Sequence, residues 1–288
     1  MSILTLAFTK MSGNGNDFVV VDNRGGILVG DGSTFARVVS QRRTGVGADG
    51  VVLVENSSRA HFSMKYYNAD GSFGGFCGNG GRCIARYAYL HGITPAHLSF
   101  ESLGHVYQGE VAGERVRLKM KDPTNEQLNI TLHIGGKELK MHALNTGAPH
   151  VVVFLDENPV FEAKEISALD VFSLGREIRY NSYFGEEGTN VNFVKVNPDK
   201  SLSIRTYERG VEGETLACGT GSVASALIAS RVKGHRSPQK VVPRSDEPLF
   251  VEFHAASDQF EDVYSEGNAR IIFVGELKYD SVTKRMLE

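Results

Sequence analysis

Two segments of this chain repeat each other: Phe76-Cys77-Gly78-Asn79-Gly80-Gly81 and Ala217-Cys218-Gly219-Thr220-Gly221-Ser222. Each sets a cysteine before a glycine-rich turn that runs into a helical pattern. Two copies at a period of about 140 residues are too few and too long for a solenoid, so the pattern predicts two similar α/β domains of ordinary size. The duplication extends upstream. Tyr67 precedes Cys77 as Tyr207 precedes Cys218, and Gly47-Ala48-Asp49-Gly50-Val51-Val52-Leu53-Val54-Glu55 parallels Gly188-Thr189-Asn190-Val191-Asn192-Phe193-Val194-Lys195-Val196. Both read as a polar loop entering a strand. Helical patterns precede these loops, with Phe35, Val38 and Val39 behind a capping Ser33 in the first half and Ile166, Leu169 and Phe172 in the second. Each half opens on a β-branched run, residues 16–21 and 149–154, and closes on antiparallel-looking strands such as 115–120 and 269–274. The expected halves are 1–122 plus 276–288, carrying Cys77, and 123–275, carrying Cys218.

A chain of 288 residues buries one or two cores without staples. Its 31 basic and 34 acidic residues leave no electrostatic footprint for nucleic acid. Three cysteines do not make a disulfide framework, which points to a reducing, cytoplasmic setting. Residues 1–10 lack the leading charge and apolar core of a signal peptide and read as a strand. No stretch approaches the ~20 apolar residues of a membrane span. The 32 glycines fall largely in the turns just described, where the backbone bends tightly or meets a ligand.

A cysteine at a helix N-terminus has a lowered thiol pKa, and the helix offers its backbone N–H groups to an anion. Two such sites, one from each half, suggest thiols facing each other across a cleft between domains. One thiolate removes a proton from a carbon while a neutral thiol delivers one to the opposite face, inverting a stereocentre. The helix ends hold the α-carboxylate, whose charge grows as the proton leaves. No electron-sink cofactor is required, and no Cys-x-x-Cys or His-Glu-x-x-His pattern supplies a metal site. Cys83 falls inside the helical pattern and reads as core. A redox pair is the alternative use of Cys77 and Cys218.

The motifs resemble the diaminopimelate epimerase family over essentially the whole chain. They are Gly13-Asn14-Gly15-Asn16-Asp17-Phe18, Asn68-Ala69-Asp70-Gly71-Ser72, Cys77-Gly78-Asn79-Gly80-Gly81-Arg82-Cys83 and the run from Tyr207-Glu208-Arg209-Gly210 to Glu214-Thr215-Leu216-Ala217-Cys218-Gly219-Thr220-Gly221. The resemblance implies interconversion of LL- and meso-diaminopimelate, for lysine and peptidoglycan-precursor synthesis, with Cys77 and Cys218 as acid and base. It implies two pseudo-symmetric domains, each a curved, mostly antiparallel sheet around a central helix, and a homodimer. Carried over residue by residue, Gly78, Asn79, Gly219 and Thr220 hold the reacting carboxylate through backbone N–H groups. Glu208 meets the α-ammonium, and Arg209 pairs with the distal carboxylate through its planar fork. Asn16, Asn68 and Asn190, at corresponding positions of the repeat, line the distal end. His150 assists one thiol; the alternative is a histidine that merely caps the following strand. Two positions depart from common family patterns, Ala148 in place of asparagine and Gly50 in place of glutamine.

Four other readings compete, one of them a non-catalytic binding protein of the same fold, which would tolerate loss of either cysteine. A proline or hydroxyproline racemase uses the same paired thiols, but proline has no second amino-acid end and no need of Arg209 and three asparagines. A phenazine-biosynthesis-type isomerase of this architecture lacks the cysteine pair. A thiol redox protein leaves the carboxylate-binding set unexplained.

Overall fold

The structure is a computed structural model describing residues 3–161, 165–256 and 259–287. Its backbone forms two compact units, Met1–Leu118 with Gly267–Glu288, and Lys119–Glu266. In the first unit, β1 (Ile3–Gly13) turns through Asn14 and Gly15, both at positive φ, into β2 (Asn16–Asp22). Helix α1 (Gly32–Val39) crosses to β3 (Gly50–Glu55), parallel to β2, and β4 (Phe62–Asn68) returns antiparallel. Helix α2 (Gly78–Leu90) then crosses to β5 (His97–Ser102), parallel to β4, and β6 (His105–Ala112) and β7 (Arg115–Lys119) follow as a meander.

The second unit repeats that order. An antiparallel meander of β8 (Thr124–Ile134), β9 (Lys137–Asn145) and β10 (Pro149–Phe154) leads through α3 (Val171–Arg179) to β11 (Asn190–Val196), parallel to β10. Strand β12 (Leu202–Glu208) pairs antiparallel with β11 and with the short β13 (Gly213–Thr215). Helix α4 (Gly219–Lys233) crosses to β14 (Gln239–Val242), parallel to β12, followed by β15 (Leu249–Ala255) and β16 (Phe260–Asn268). The fold class is therefore α/β, built twice from one plan.

Alternation along the strands explains how each sheet carries a helix on both faces. Val19, Val21, Val51 and Leu53 pack with Phe35, Ala36 and Val39 of α1, whereas Phe18 and Val52 turn toward Gly80 of α2. Likewise Val151, Val153, Val191 and Phe193 pack with Val171 and Ile178 of α3. The alternate residues His150, Val152, Asn190 and Asn192 thus fall on the α4 side. Helix α4 is buried along residues 221–229, small or aliphatic all round, as a helix enclosed by its own sheet must be. Gly234 in the left-handed region ends it. The two halves share one further detail. A Cβ on Gly32 of α1 would lie 2.7 Å from the Tyr67 ring, and one on Gly175 of α3 would lie 2.4 Å from Tyr207. Glycine there lets each outer helix lie directly on the tyrosine.

Several local expectations change. Residues 269–274 do not close the second half. From Arg270 they belong to β17 (Arg270–Asp280), which pairs antiparallel with β1 from Ile3 opposite Asp280 to Ser12 opposite Arg270, and then with β18 (Arg285–Leu287). In the first unit β17 fills the place that β8 fills beside β9. Ser33 does not cap α1: Asp31 is the N-cap residue, and the Ser33 hydroxyl donates to the Gly71 carbonyl at 2.7 Å. Ile166 sits in a short 3-10 turn, and α3 begins after it with Asp170 as its cap, accepting from Ser173 N–H at 3.0 Å. Residues 1–10 are strand from Ile3 onward; Met1 and Ser2 lie outside the described residues.

Candidate active site

In each unit the cysteine stands in extended backbone as the residue before the central helix, Cys77 at φ −117° and Cys218 at φ −121°. The Cys77 Sγ accepts from Gly80 N–H at 3.5 Å, and its carbonyl accepts from Gly81 N–H at 2.7 Å. Neither helix has an acidic side chain in its first turn, so the positive end of the dipole is not neutralised there. As first-turn residues, Gly78, Asn79, Gly219 and Thr220 have N–H groups with no acceptor inside the helix. Cys83 is fully buried core, as its place in the pattern predicts.

Around α2, the structure brings two of the expected asparagines together. Asn79 Nδ2 donates to Asn16 Oδ1 at 2.7 Å, and Asn16 Nδ2 donates to Asp49 Oδ2 at 3.0 Å. Asp49 and Asp17 share Arg42, at 2.7 and 2.8 Å, and Lys10 reaches Asp17 at 2.7 Å. Burial works to raise the Asp17 carboxyl, but Arg42 and Lys10 outweigh it and hold it below its ordinary value. Arg82, fully buried on α2, donates to Asn14 Oδ1 at 2.7 Å and to Asn79 Oδ1. Asn68 instead bonds within its own turn, donating to Ser72 Oγ at 3.0 Å.

The register shows that the three asparagines do not occupy corresponding positions. Val51 opposes Tyr67 as Val191 opposes Tyr207, so Asn190 answers to Gly50, and Asn68 answers to Glu208. The repeat is offset by one residue from the sequence parallel that sets Asp49 against Asn190.

In the second unit, Asn190 ties three segments: its Nδ2 donates to the Pro149 carbonyl at 2.8 Å, and its Oδ1 accepts from Arg209 N–H at 2.9 Å. The Arg209 guanidinium meets Glu187 at 3.2 Å in a pair that is 30% and 88% exposed. Glu208 is the last residue of β12, half-buried, on the same face as Thr206. His150 connects to the thiol through Thr220. Its Nε2 lies 2.9 Å from Thr220 Oγ1, which lies 3.6 Å from Cys218 Sγ. Burial pushes its imidazole down to about 3, with Arg209 adding to the effect, so it is neutral at ordinary pH. Behind it, Asn192 Nδ2 stands 3.2 Å from His150 Nδ1 and donates to the Val151 carbonyl at 2.9 Å.

Asp49, Arg82, Asn192 and the Thr220 hydroxyl were not singled out by the motifs. For Asn192 a signal existed: it stands between Val191 and Phe193 in a strand, where a buried amide needs partners on every side. Among the described residues, no group of three or more His, Cys, Asp or Glu side chains is arranged to hold a metal ion. No helix among them is long and apolar enough to cross a membrane.

A family model described as diaminopimelate epimerase matches residues 8–131 and 142–272, spans that include both cysteine motifs. The chain belongs to the diaminopimelate epimerase family. The diaminopimelate epimerase of Chlorobaculum tepidum is 43% identical over 271 residues, covering 93% of this chain and 99% of that protein. That of Archaeoglobus fulgidus is 40% identical over 296 residues, covering 96% and 100%. Among solved structures, a hydroxyproline epimerase from Agrobacterium vitis aligns with a TM-score of 0.69 at 14% identity, covering 96% of this chain and 93% of that one. A methylitaconate-delta-isomerase aligns at 0.68 and 10% identity, covering 99% and 98%. At these identities the likeness is one of fold, and it is the fold expected of a diaminopimelate epimerase.

Proposed function

We propose that this chain interconverts LL- and meso-2,6-diaminopimelate without a cofactor, using Cys77 and Cys218 as its acid–base pair. The observation that carries the reading is the duplication itself: in a member of this family, each unit presents one cysteine as the extended residue before its central helix. Removal of the α-proton by one thiolate places charge on the α-carboxylate. First-turn N–H groups at Gly78, Asn79, Gly219 and Thr220 suit that charge, because they are fixed donors that need not reorganise. The other thiol then protonates the opposite face of the carbon. The two sulfurs end with their protonation states exchanged, ready for the reverse reaction.

Glu208 is assigned to the α-ammonium. Arg209 is assigned to the distal carboxylate, which replaces Glu187 as its partner, with Asn16, Asn68 and Asn190 shaping that end. In the second unit, Asn190 holds the Arg209 backbone, which supports a role in aiming that guanidinium. His150 is assigned an auxiliary role at Cys218. The reaction serves the supply of lysine and peptidoglycan precursor. It needs both sulfurs as thiols, which a cytoplasmic location provides.

A homodimer is part of this reading. Ile271, Ile272, Phe273 and Val274 stand consecutively exposed on β17, with a bulge at the Lys10–Met11 step, and a second copy of the same strand pair is the natural cover for them. The test of the activity is proton NMR of the reduced protein with LL-diaminopimelate in one tube and trans-4-hydroxyproline in another. Appearance of the meso isomer with hydroxyproline unchanged supports the assignment. Epimerisation of hydroxyproline alone contradicts it.

A further inference from the structure

The hydrogen bonds behind Cys218 have a direction, and the fold sets it. The Val151 carbonyl can only accept, so the Asn192 atom 2.9 Å from it is the NH2 group. The Asn192 Oδ1 correspondingly accepts from the Thr206 hydroxyl at 2.9 Å. The second proton of that NH2 points at His150 Nδ1, 3.2 Å away, which must therefore be the acceptor nitrogen of the ring. In a neutral imidazole the proton then sits on Nε2, which donates to Thr220 Oγ1 at 2.9 Å. With one of its two lone pairs engaged by the imidazole, the Thr220 hydroxyl keeps its own proton to give, and a Cys218 thiolate, which can only accept, has its Sγ 3.6 Å from it.

We infer that Asn192 is a positioning residue that locks His150 in the Nε2–H tautomer, so that the Thr220 hydroxyl donates to Cys218 and favours its thiolate. The role rests on the assignment of Cys218 as one of the two acid–base thiols. Local packing fits it. Gly221, in the first turn of α4, closes on Asn192 so tightly that an added Cβ would lie 2.2 Å from its Oδ1. The Thr146 hydroxyl donates to the Thr220 carbonyl at 2.9 Å, fixing the same turn from β9's end. The first unit differs at the matching position: Val52 stands on the α2 face of β3, and the Cys77 sulfur accepts from a backbone amide. The titratable and charged groups on the elements around this end of α4 include His150 on β10, Glu208 and Arg209 at the end of β12, and Glu214 on β13, the last engaged by Arg205 at 2.6 Å and Arg244 at 2.9 Å.

The test reads the thiol and the ring without using turnover. The pH midpoint of Cys218 alkylation by iodoacetamide is measured by peptide mass spectrometry, with Cys77 in the same sample as control. Thr220→Val removes the donor, and alkylation of Cys218 near neutral pH should slow about tenfold, because a hydrogen bond to a charged acceptor is lost. Thr220→Ser should restore it, and Cys77 should not move. Asn192→Asp replaces the donating NH2 by an acceptor and should slow Cys218 in the same sense. Two-bond 1H–15N correlation of the wild-type imidazole should show His150 with its proton on Nε2. An Nδ1–H ring in the wild type overturns the proposal even if every variant fails to fold. A Thr220→Val protein with unchanged Cys218 reactivity overturns it too. Because neither readout needs substrate, a protein that passes both yet does not turn over diaminopimelate refutes the function and leaves the relay standing.

Discussion

Protonation of His150 offers the sharpest quantitative test of the environment behind Cys218. The side chain is 1% exposed, and burial pushes its pKa from 6.5 down to about 3. In the unfolded chain the imidazole takes up a proton as the pH falls through 6.5, whereas in the folded chain it refuses one until about 3. The unfolded state therefore binds more protons throughout that window, and stability contributed above pH 6.5 is lost as the pH falls toward 3. At 1.36 kcal/mol per pH unit, moving from about pH 7.5 to about pH 5 should remove about 2 kcal/mol through this one group. Asp17 and Glu157, both held below their ordinary values, make their own losses at lower pH and stay outside this window. The assay is urea denaturation followed by circular dichroism at both pH values, for the wild type and His150→Gln. The wild type should lose about 2 kcal/mol more than the variant over that interval. Equal losses would refute the claim that the ring is buried and neutral.

Four further outcomes follow from the geometry. Arg209→Ala should raise KM for diaminopimelate about a hundredfold, since two charge-assisted hydrogen bonds are lost. It should change stability by less than about 1 kcal/mol, because its pair with Glu187 is exposed; an unchanged KM contradicts the contact. Cys77→Ser should lower kcat by at least about a hundredfold with little change in KM, as expected for a group acting in the transition state; the reverse pattern denies its role. Gly175→Ala sets a methyl 2.4 Å from Tyr207 Cβ, an atom that cannot swing aside. The overpacking costs about 1–3 kcal/mol against a helix-propensity gain of at most about 1, so the urea midpoint should fall; a higher midpoint rejects the close contact. Val274→Arg, on the exposed apolar run of β17, should yield monomers in sedimentation equilibrium; an unaltered dimer places the interface elsewhere.

Much of the architecture was legible because the duplicated segments carry chemistry that only one backbone conformation serves. A cysteine ahead of a glycine-rich helix start reads the same way twice, and both instances are extended N-cap positions. The β-branched runs at residues 16–21 and 149–154 also became strands, buried on both faces. What failed was non-local. Residues 269–274 follow the second half in sequence and carry a strand pattern, but nothing in that pattern says the partner is β1, some 260 residues earlier. The one-residue offset between the repeats escaped for a related reason. Loops tolerate an inserted residue, and only strand pairing reveals where the register resumes. At the site, the cysteines and first-turn glycines were readable from spacing alone. The roles of Thr220, Asn192, Arg82 and Asp49 depend on which side chains meet across strands, and a linear pattern does not carry that.

The central claim is that two groups, not one, handle the migrating proton, and isotope placement at low conversion decides it. LL-diaminopimelate is incubated with the reduced enzyme in D2O, stopped early, and both isomers are analysed by mass spectrometry. If Cys77 and Cys218 serve opposite faces of the carbon, the meso product should carry one solvent deuteron in essentially every molecule, while recovered LL substrate stays unlabelled. A single base that removes and returns the proton would give meso product retaining its original hydrogen or, where that base exchanges with solvent first, deuterium in recovered LL substrate as well as in product; either result would contradict the account.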